Sequence, residues 1–115
     1  MFVEQRVYTL RPGTTSAFID YYGERGRAVQ IAHLGNPVGY YFTEVGSLNQ
    51  MVMNWYYASL DERAHKRQQL ASDPDWVAYL EHARECVTTQ QTSILKPAPF
   101  FTEQLQAYIS RRRNS

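Results

Sequence analysis

The sequence predicts an α+β domain of the ferredoxin-like type, with the element order βαββαβ and a four-stranded antiparallel sheet. Four segments are rich in β-branched and aromatic residues, helix-capping residues stand between them, and Gly or Pro marks most of their borders. In this arrangement the first and third strands are central, and the helices cover one face of the sheet. A chain of 115 residues has the length of a single domain.

The predicted strands begin and end at recognisable turn signals. Pro12 and Gly13 follow the first strand, Pro97 and Pro99 follow the fourth, and a short hairpin connection at residues 46–49 joins the second strand to the third. We predict strands at residues 2–10, 38–45, 50–58 and 88–95.

The first predicted helix follows the possible N-cap residues Thr14, Thr15 and Ser16 and ends before Gly35, a typical residue just beyond a helix C-terminus. Its apolar stripe is predicted at Phe18, Tyr22, Arg25 and Val29. Gly23 and Gly26 weaken this helix by about 1 kcal/mol each relative to Ala, and a helical Gly often permits close packing.

The second helical region is predicted in two parts. Ser59 and Glu62 have the spacing of a capping box, which starts a helix that runs to about Ala71. Asp73 as N-cap and Pro74 at the first helical position then start another helix. A further short helix is predicted at residues 102–113.

Composition and charge indicate a soluble cytoplasmic protein. A net charge of +1 provides no long-range attraction for nucleic acid or an anionic membrane. Cys86 is the single cysteine, which excludes an internal disulfide and suits a reducing compartment. No apolar run approaches the ~18 residues of a membrane span, and the chain enters a strand pattern at Phe2 instead of a signal peptide.

The third strand predicts that the sheet needs cover on both faces. Met51, Met53, Trp55 and Tyr57 alternate with Val52, Asn54, Tyr56 and Ala58, so both faces carry apolar side chains. In the second strand, Tyr40 and Phe42 lie on one face, and Tyr41 and Val45 lie on the other. We therefore expect a homodimer that packs sheet to sheet. The alternative is that the C-terminal tail folds over the open face.

Six short motifs in order resemble the NIPSNAP family. They are VEQRVYTLRPG at residues 3–13, HLGNPVGYY at 33–41, EVGSLNQ at 44–50, WYYASL at 55–60, DPDW at 73–76 and LKPAPF at 95–100. The resemblance implies a dimeric α+β barrel built from a NIPSNAP-like domain at residues 1–100, with residues 101–115 as a tail or short helix.

The resemblance implies little about chemistry, because the biochemical activity of the family is mostly undefined. Structurally similar dimeric barrels include cofactor-free monooxygenases, haem-degrading enzymes and small-molecule binders. A shared fold does not by itself give a function.

Arg6 is the first candidate site residue, since it lies in a strand that we expect to be central, on the face that carries Glu4 and Tyr8. A buried Arg needs a partner, and Glu4 or Glu44 could provide it. Arg6 would then either anchor an anionic group of a ligand or form a structural ion pair, or lie at the rim of the dimer interface.

His33 is the second candidate, near the end of the first helix. It could act as a general base or contact a ligand at the mouth between helix and strand. The structural alternative is that it caps the helix C-terminus and gains from the helix dipole.

The third candidate is a set of aromatic residues that could line an apolar pocket or fill the core and the interface: Tyr8, Tyr40, Tyr41, Trp55, Tyr56 and Tyr57. The predicted pocket comprises Arg6, Tyr8, His33, Tyr40 and Trp55.

Other chemical signals are weak. Glu62 and His65 have a spacing seen in metal sites, but Glu62 is expected to serve its capping box, so we predict no metal site. We expect Cys86 to be packed rather than reactive. No cofactor motif is evident, and Arg111–Arg113 is expected to be a solvated end.

Two functions therefore fit the sequence. The first is a homodimeric domain that binds a small apolar or aromatic molecule and is either a binder or a cofactor-independent enzyme. The second is a non-catalytic protein–protein interaction module that uses the dimer and the tail helix.

Overall fold

A computed structural model of the protein describes residues 1–113; Asn114 and Ser115, which belong to the predicted tail, lie outside the described residues. The strands are β1 (Phe2–Leu10), β2 (Gly39–Phe42), β3 (Gln50–Tyr57) and β4 (Val87–Leu95). The helices are α1 (Thr15–Tyr21), α2 (Arg27–Leu34), α3 (Leu60–Ala71), α4 (Pro74–Ala83) and α5 (Pro99–Arg113). A π-helical segment (Tyr22–Gly26) joins α1 to α2, and a 3₁₀ turn (Arg84–Cys86) joins α4 to β4.

The four strands form one antiparallel sheet in the order β2-β3-β1-β4. Strands β1 and β3 are central, so the predicted ferredoxin-like α+β fold is confirmed. Strand β2 is shorter than predicted. The backbone N–H of Thr43 donates a hydrogen bond to the carbonyl oxygen of Gln50 at the start of β3, and the pairing of the two strands stops there. Val45, which the sequence predicts on a strand face, lies in the exposed connection instead.

Alternation along β3 determines which side chains enter the core. Met51, Met53, Trp55 and Tyr57 are buried beneath the helices, and the residues between them lie on the open face. The helical side of this core is provided by Phe18 and Tyr22 near the first helix, Leu34 in α2, Leu70 in α3, and Tyr79 and Ala83 in α4. Helices α1 to α4 therefore cover one face of the sheet, as predicted.

The π-helical segment changes which residues of the first helical region face inward. Its extra residue per turn rotates the helix, so that the predicted stripe residue Arg25 is exposed while Gly26 and Gln30 are buried. The buried positions now recur every four residues: Phe18, Tyr22, Gly26, Gln30 and Leu34. The prediction of Arg25 in the stripe was wrong because it assumed an uninterrupted α-helix.

Capping interactions fix the start of the next two helices. The Ser59 hydroxyl accepts a hydrogen bond from the backbone N–H of Glu62, and the Glu62 carboxylate accepts one from the N–H of Ala58. The Asp73 carboxylate accepts the N–H of Asp75, with Pro74 at the first helical position. Both predicted helix starts are confirmed.

Helix α5 starts at Pro99, three residues earlier than predicted, and buries Leu105 and Ile109. Tyr108 and Ile109 line a cleft with Tyr56 and with the loop residues 35–38 between α2 and β2. Because Tyr56 lies on the open face, α5 lies against one end of that face. The rest of the open face is not covered by α1 to α4.

Gly26 permits a close contact between the π-helical segment and α4. A Cβ atom at this position would lie 2.8 Å from Cζ of Tyr79 and 3.0 Å from Cδ2 of Tyr22. Gly23, in the same segment, has no such neighbour within 4 Å. The two glycines therefore have different roles.

We predict that Gly26→Ala lowers the free energy of unfolding by about 1–3 kcal/mol, because the added methyl overpacks against Tyr79. Gly23→Ala is the matched control and should be neutral or stabilise by up to about 1 kcal/mol through helix propensity. Urea unfolding of both variants checks this. Equal effects of the two substitutions would contradict the packing explanation.

Candidate functional site

A cavity of about 340 Å³ lies between the helical face of the sheet and the helices α1 and α4. Arg84 and Gln90, which are exposed, mark its opening beside β4. The inner lining combines apolar, aromatic and cationic side chains: Arg6, Tyr8, Phe18, Tyr22, Gln30, Met53, Arg67, Trp76, Tyr79, Leu80, Ala83 and Val87.

Aromatic rings form one wall of the cavity. The Tyr79 ring packs against Trp76, with ring centroids 5.0 Å apart, and against Tyr22 at 6.1 Å. Phe18 packs against Tyr8 at 6.4 Å. Rings held in contact with each other provide a rigid surface on which an apolar or aromatic ligand can pack.

A chain of hydrogen bonds fixes Tyr22 in this wall. Its hydroxyl donates to Oε1 of the buried Gln30 at 2.6 Å, and its oxygen lies 2.7 Å from the hydroxyl oxygen of Tyr40. Because Tyr22 has one hydroxyl proton and gives it to Gln30, Tyr40 is the donor in the second bond. The Tyr22 ring is therefore held from both the helix and β2.

These tyrosines stay protonated at neutral pH. Burial raises the pKa of Tyr22 well above its ordinary value. Burial also raises the pKa of Tyr79 and of Tyr40. The hydroxyl groups of this wall thus act as neutral donors and acceptors, not as phenolate bases.

Glu4 does not line the cavity, but it binds the arginines that give one end of the site its charge. It is fully buried in β1, where its carboxylate accepts hydrogen bonds from Arg63 and Arg67 of α3 and from Tyr57 of β3. Burial alone would raise the pKa of Glu4, but Arg67, Arg63 and Arg6 together outweigh it and hold the pKa below its ordinary value. Glu4 is therefore ionised at neutral pH.

Arg6 lies between this ion cluster and the cavity. Its Nη1 is 3.7 Å from a Glu4 oxygen, which is an ion pair too long for a hydrogen bond. Its Nε donates to the hydroxyl of Tyr8 at 2.9 Å. Of the two partners that the sequence suggested for Arg6, the structure therefore selects Glu4 and not Glu44.

The predicted pocket residues separate into three groups. Arg6 and Tyr8 line the cavity, and Tyr40 lies behind the wall, bonded to the lining residue Tyr22. Trp55 is completely buried and packs edge-on against Tyr40, with ring centroids 5.9 Å apart. His33 lies in a different, shallow cleft beside Asp73.

His33 connects the end of α2 to the start of α4. Its Nε2 lies 2.8 Å from a carboxylate oxygen of Asp73, whose other oxygen caps α4. The hydrogen bond from His33 lowers the pKa of Asp73, helped by the backbone N–H of Asp75. This geometry gives His33 a structural partner remote from the cavity.

Several lining residues were missed in the sequence. Trp76, Tyr79 and Leu80 recur at helical spacing in the sequence, and such an apolar stripe does not distinguish a core from a cavity wall. Gln30 was hidden by the π-helical segment. Nothing in the sequence singles out Arg67 alone. Its spacing of four from Arg63, however, places two cations on one face of α3, and Glu4 in a central strand is an acidic residue that could pair with them.

Two classes of site are absent from the described part of the chain. Within residues 1–113, no three His, Cys, Asp or Glu side chains cluster in a way that could hold a metal ion. Among the described helices, none combines the length and apolar character that crossing a membrane requires.

The sheet order, the helices on one face and the cavity between them define a ferredoxin-like α+β domain with an internal pocket. An antibiotic biosynthesis monooxygenase shares this fold at 10% identity, with a TM-score of 0.60 over 86% of this chain and all of that one (100%). At such low identity the similarity concerns the fold alone.

Residues 3–102 match the sequence model of the NIPSNAP family, and the chain belongs to this family. A NIPSNAP family protein of unknown function from Agrobacterium tumefaciens is 39% identical, with a TM-score of 0.85 over 87% of this chain and 90% of that one. Human NipSnap homolog 3B is 30% identical over 97 residues, which are 84% of this chain. The match spans about two fifths (39%) of the human protein's length.

We predict that Glu4→Gln lowers the free energy of unfolding at neutral pH by about 2 kcal/mol, because Arg6, Arg63 and Arg67 lose the negative charge that all three contact. The three guanidinium groups are partly exposed to water, which limits the size of the loss. Since the folded-state pKa of Glu4 lies below its ordinary 4.5, the stabilisation is complete above about that pH. It is lost as the pH falls through the folded-state pKa.

Urea unfolding of wild type and Glu4→Gln over a series of pH values checks this prediction. The difference between the two should shrink as the solution becomes strongly acidic. Glu24→Gln is the control, because Glu24 is exposed and forms no ion pair with another described residue. A difference that stays constant down to strongly acidic pH would contradict the role assigned to Glu4.

Proposed function

We propose that this NIPSNAP domain binds a small apolar or aromatic molecule in the cavity beside Tyr8, Trp76 and Tyr79, and that it does so as a homodimer. The observation that carries the proposal is a cavity of about 340 Å³ whose lining is mostly apolar and aromatic, with Arg6, Gln30 and Arg67 among its polar members. Pockets of ~300–1,000 Å³ lined in this way are typical ligand sites.

The lining favours binding over acid–base chemistry. Among the described residues that line the cavity there is no His, Cys, Asp or Glu, and the wall tyrosines have raised pKa values. A cofactor-independent reaction in this cavity would therefore depend on the reactivity of the substrate itself. Specific binding needs only the rigid wall and the few fixed polar groups that the cavity provides.

The open face of the sheet supports the homodimer. Its two central strands place Val3 opposite Tyr56 and Val7 opposite Val52, with Gln5 opposite Asn54 between them. The Asn54 Oδ1 atom is buried and accepts no hydrogen bond from any described residue. A second copy packed on this face would cover the valines.

The interaction-module alternative has less support. It requires an apolar patch around Tyr108 and Ile109 on the tail helix, but Ile109 is buried within its own chain. The interaction-module alternative also expects a filled core, and a cavity is therefore an argument against it. A cytoplasmic location, suggested by the single cysteine, stays a prediction.

We predict that wild-type protein binds a neutral aromatic probe, 2-naphthaleneethanol, with a change in tryptophan fluorescence. Trp76 lines the cavity and Trp55, the other tryptophan, is buried beneath it, so Trp76→Phe should remove most of the signal. Calorimetry measures the affinity independently of fluorescence. Absence of binding by both methods would contradict the proposed function.

Filling the cavity gives a matched test. Ala83 is buried in the lining, whereas Ala78 is exposed on the same helix. Ala83→Leu should weaken probe binding at least tenfold and Ala83→Val should weaken it less, because each added group occupies ligand space. Ala78→Leu should bind as wild type does. Unfolding curves of each variant separate lost binding from lost folding.

We predict a native mass of twice the 13.4 kDa chain. Val7→Lys, at the centre of the open face, should produce monomers, because a buried ammonium without a partner opposes the contact. Val77→Lys is the control, since Val77 is exposed on α4 and away from the sheet. Native mass spectrometry checks both variants, and a wild-type monomer would contradict the dimer.

A further inference from the structure

We propose that the ligand of the cavity carries a carboxylate that Arg6, Arg67 and Tyr8 bind, so that the ligand class is small aromatic or apolar carboxylic acids. This inference rests on the proposed function, because it concerns the same cavity. Three features carry it: the charge of the lining, the unused hydrogen-bond donors at one end of the cavity, and their position relative to the aromatic wall.

The lining has an excess of positive charge. Glu4 is the common partner of Arg6, Arg63 and Arg67, and these arginines form no ion pair with another described carboxylate. One negative charge therefore faces three positive charges. Arg84 adds a further cation at the opening. An anion in the cavity would reduce the repulsion among these groups.

Donor groups at this end of the cavity lack acceptors. Arg6 donates one hydrogen bond, from Nε to Tyr8, and its remaining guanidinium N–H groups reach no acceptor among the described residues. Arg67 uses Nη2 on Glu4, while its buried Nε has no hydrogen-bond partner within the described chain. The Arg67 Nε is closed off even from water, whereas the partly exposed guanidinium of Arg6 faces the cavity, where a bound anion would supply it with acceptors.

Tyr8 completes the group of donors. Its hydroxyl oxygen accepts from Arg6, and its proton is donated to no described residue. Tyr8 and Arg6 both line the cavity, and the Tyr8 hydroxyl lies 2.9 Å from the Arg6 Nε, so the two side chains can bind one group together. A planar carboxylate has two oxygens, which suit a guanidinium and a neighbouring hydroxyl together.

The aromatic wall supports the remainder of the ligand. Trp76, Tyr79 and Leu80 belong to α4, whereas Arg6 and Tyr8 belong to β1, so the cavity has chemically different sides. An acid with one apolar or aromatic body matches this division. A neutral ligand of the same shape would pack on the wall but leave the charged donors without acceptors.

The test compares two probes of nearly the same shape, 2-naphthaleneacetate and 2-naphthaleneethanol, by calorimetry. Wild type should bind the acid at least about tenfold more tightly, as expected for a charge-assisted hydrogen bond. Arg6→Gln should bring the two affinities within about threefold of each other, with the affinity for the alcohol nearly unchanged.

Arg63→Gln is the matched control. Arg63 bonds to Glu4 as Arg67 does, yet it does not line the cavity, and its loss removes the same charge. The preference for the acid should therefore persist in Arg63→Gln. If Arg63→Gln loses the preference as completely as Arg6→Gln, the effect comes from general charge and the inference is overturned.

The remaining outcomes separate the two proposals. If neither probe binds wild type, the proposed function fails and this inference fails with it. If both probes bind wild type equally, only the inference fails. Should Arg6→Gln not fold, Tyr8→Phe replaces it: a reduced preference for the acid supports the inference, and an unchanged preference overturns it.

Discussion

Glu4 and its three arginines connect the centre of the sheet to the helical layer. The carboxylate is fully buried in β1, and its strongest partners, Arg63 and Arg67, lie one turn apart on α3. An ionised buried carboxylate must keep its cationic partners, so α3 is restrained in both its rotation and its position along the sheet. The same restraint brings Arg67 to the cavity. One pairing therefore supports both the fold and the chemical character of the site.

The first helical region positions the opposite side of the site by a different route. An uninterrupted α-helix would turn Gln30 away from the core, and Tyr22 would lose its hydrogen bond to the amide oxygen of Gln30. The π-helical segment turns Gln30 inward, where it bonds to Tyr22, which in turn accepts from Tyr40 of β2. A local irregularity in the helix is thus what holds the tyrosine wall at a fixed distance from the sheet.

The predictions that succeeded depend on near neighbours in the chain. The alternation of Met51 to Tyr57 reflects the pleat of a strand, and the caps at Ser59 and Asp73 are made within three residues. The prediction of Arg25 in the buried stripe failed because the π-helical segment shifts the inward-facing positions, and that segment packs at Gly26 against Tyr79, which lies far along the sequence. His33 likewise meets Asp73 only in the folded chain. A cavity depends on what several distant elements leave unfilled, and a single apolar stripe carries no such information.

The contact between Gly26 and Tyr79 has a consequence for how this family can diversify. The ring at position 79 forms part of the cavity wall, and it occupies the space that any side chain at position 26 would need. The two positions should therefore change together: a smaller residue at 79 would remove the two shortest contacts at position 26, leaving the one with Tyr22, and would widen the cavity at the same time. Coupled variation at this pair would let relatives alter the size of molecule they accept while the sheet and its caps stay the same.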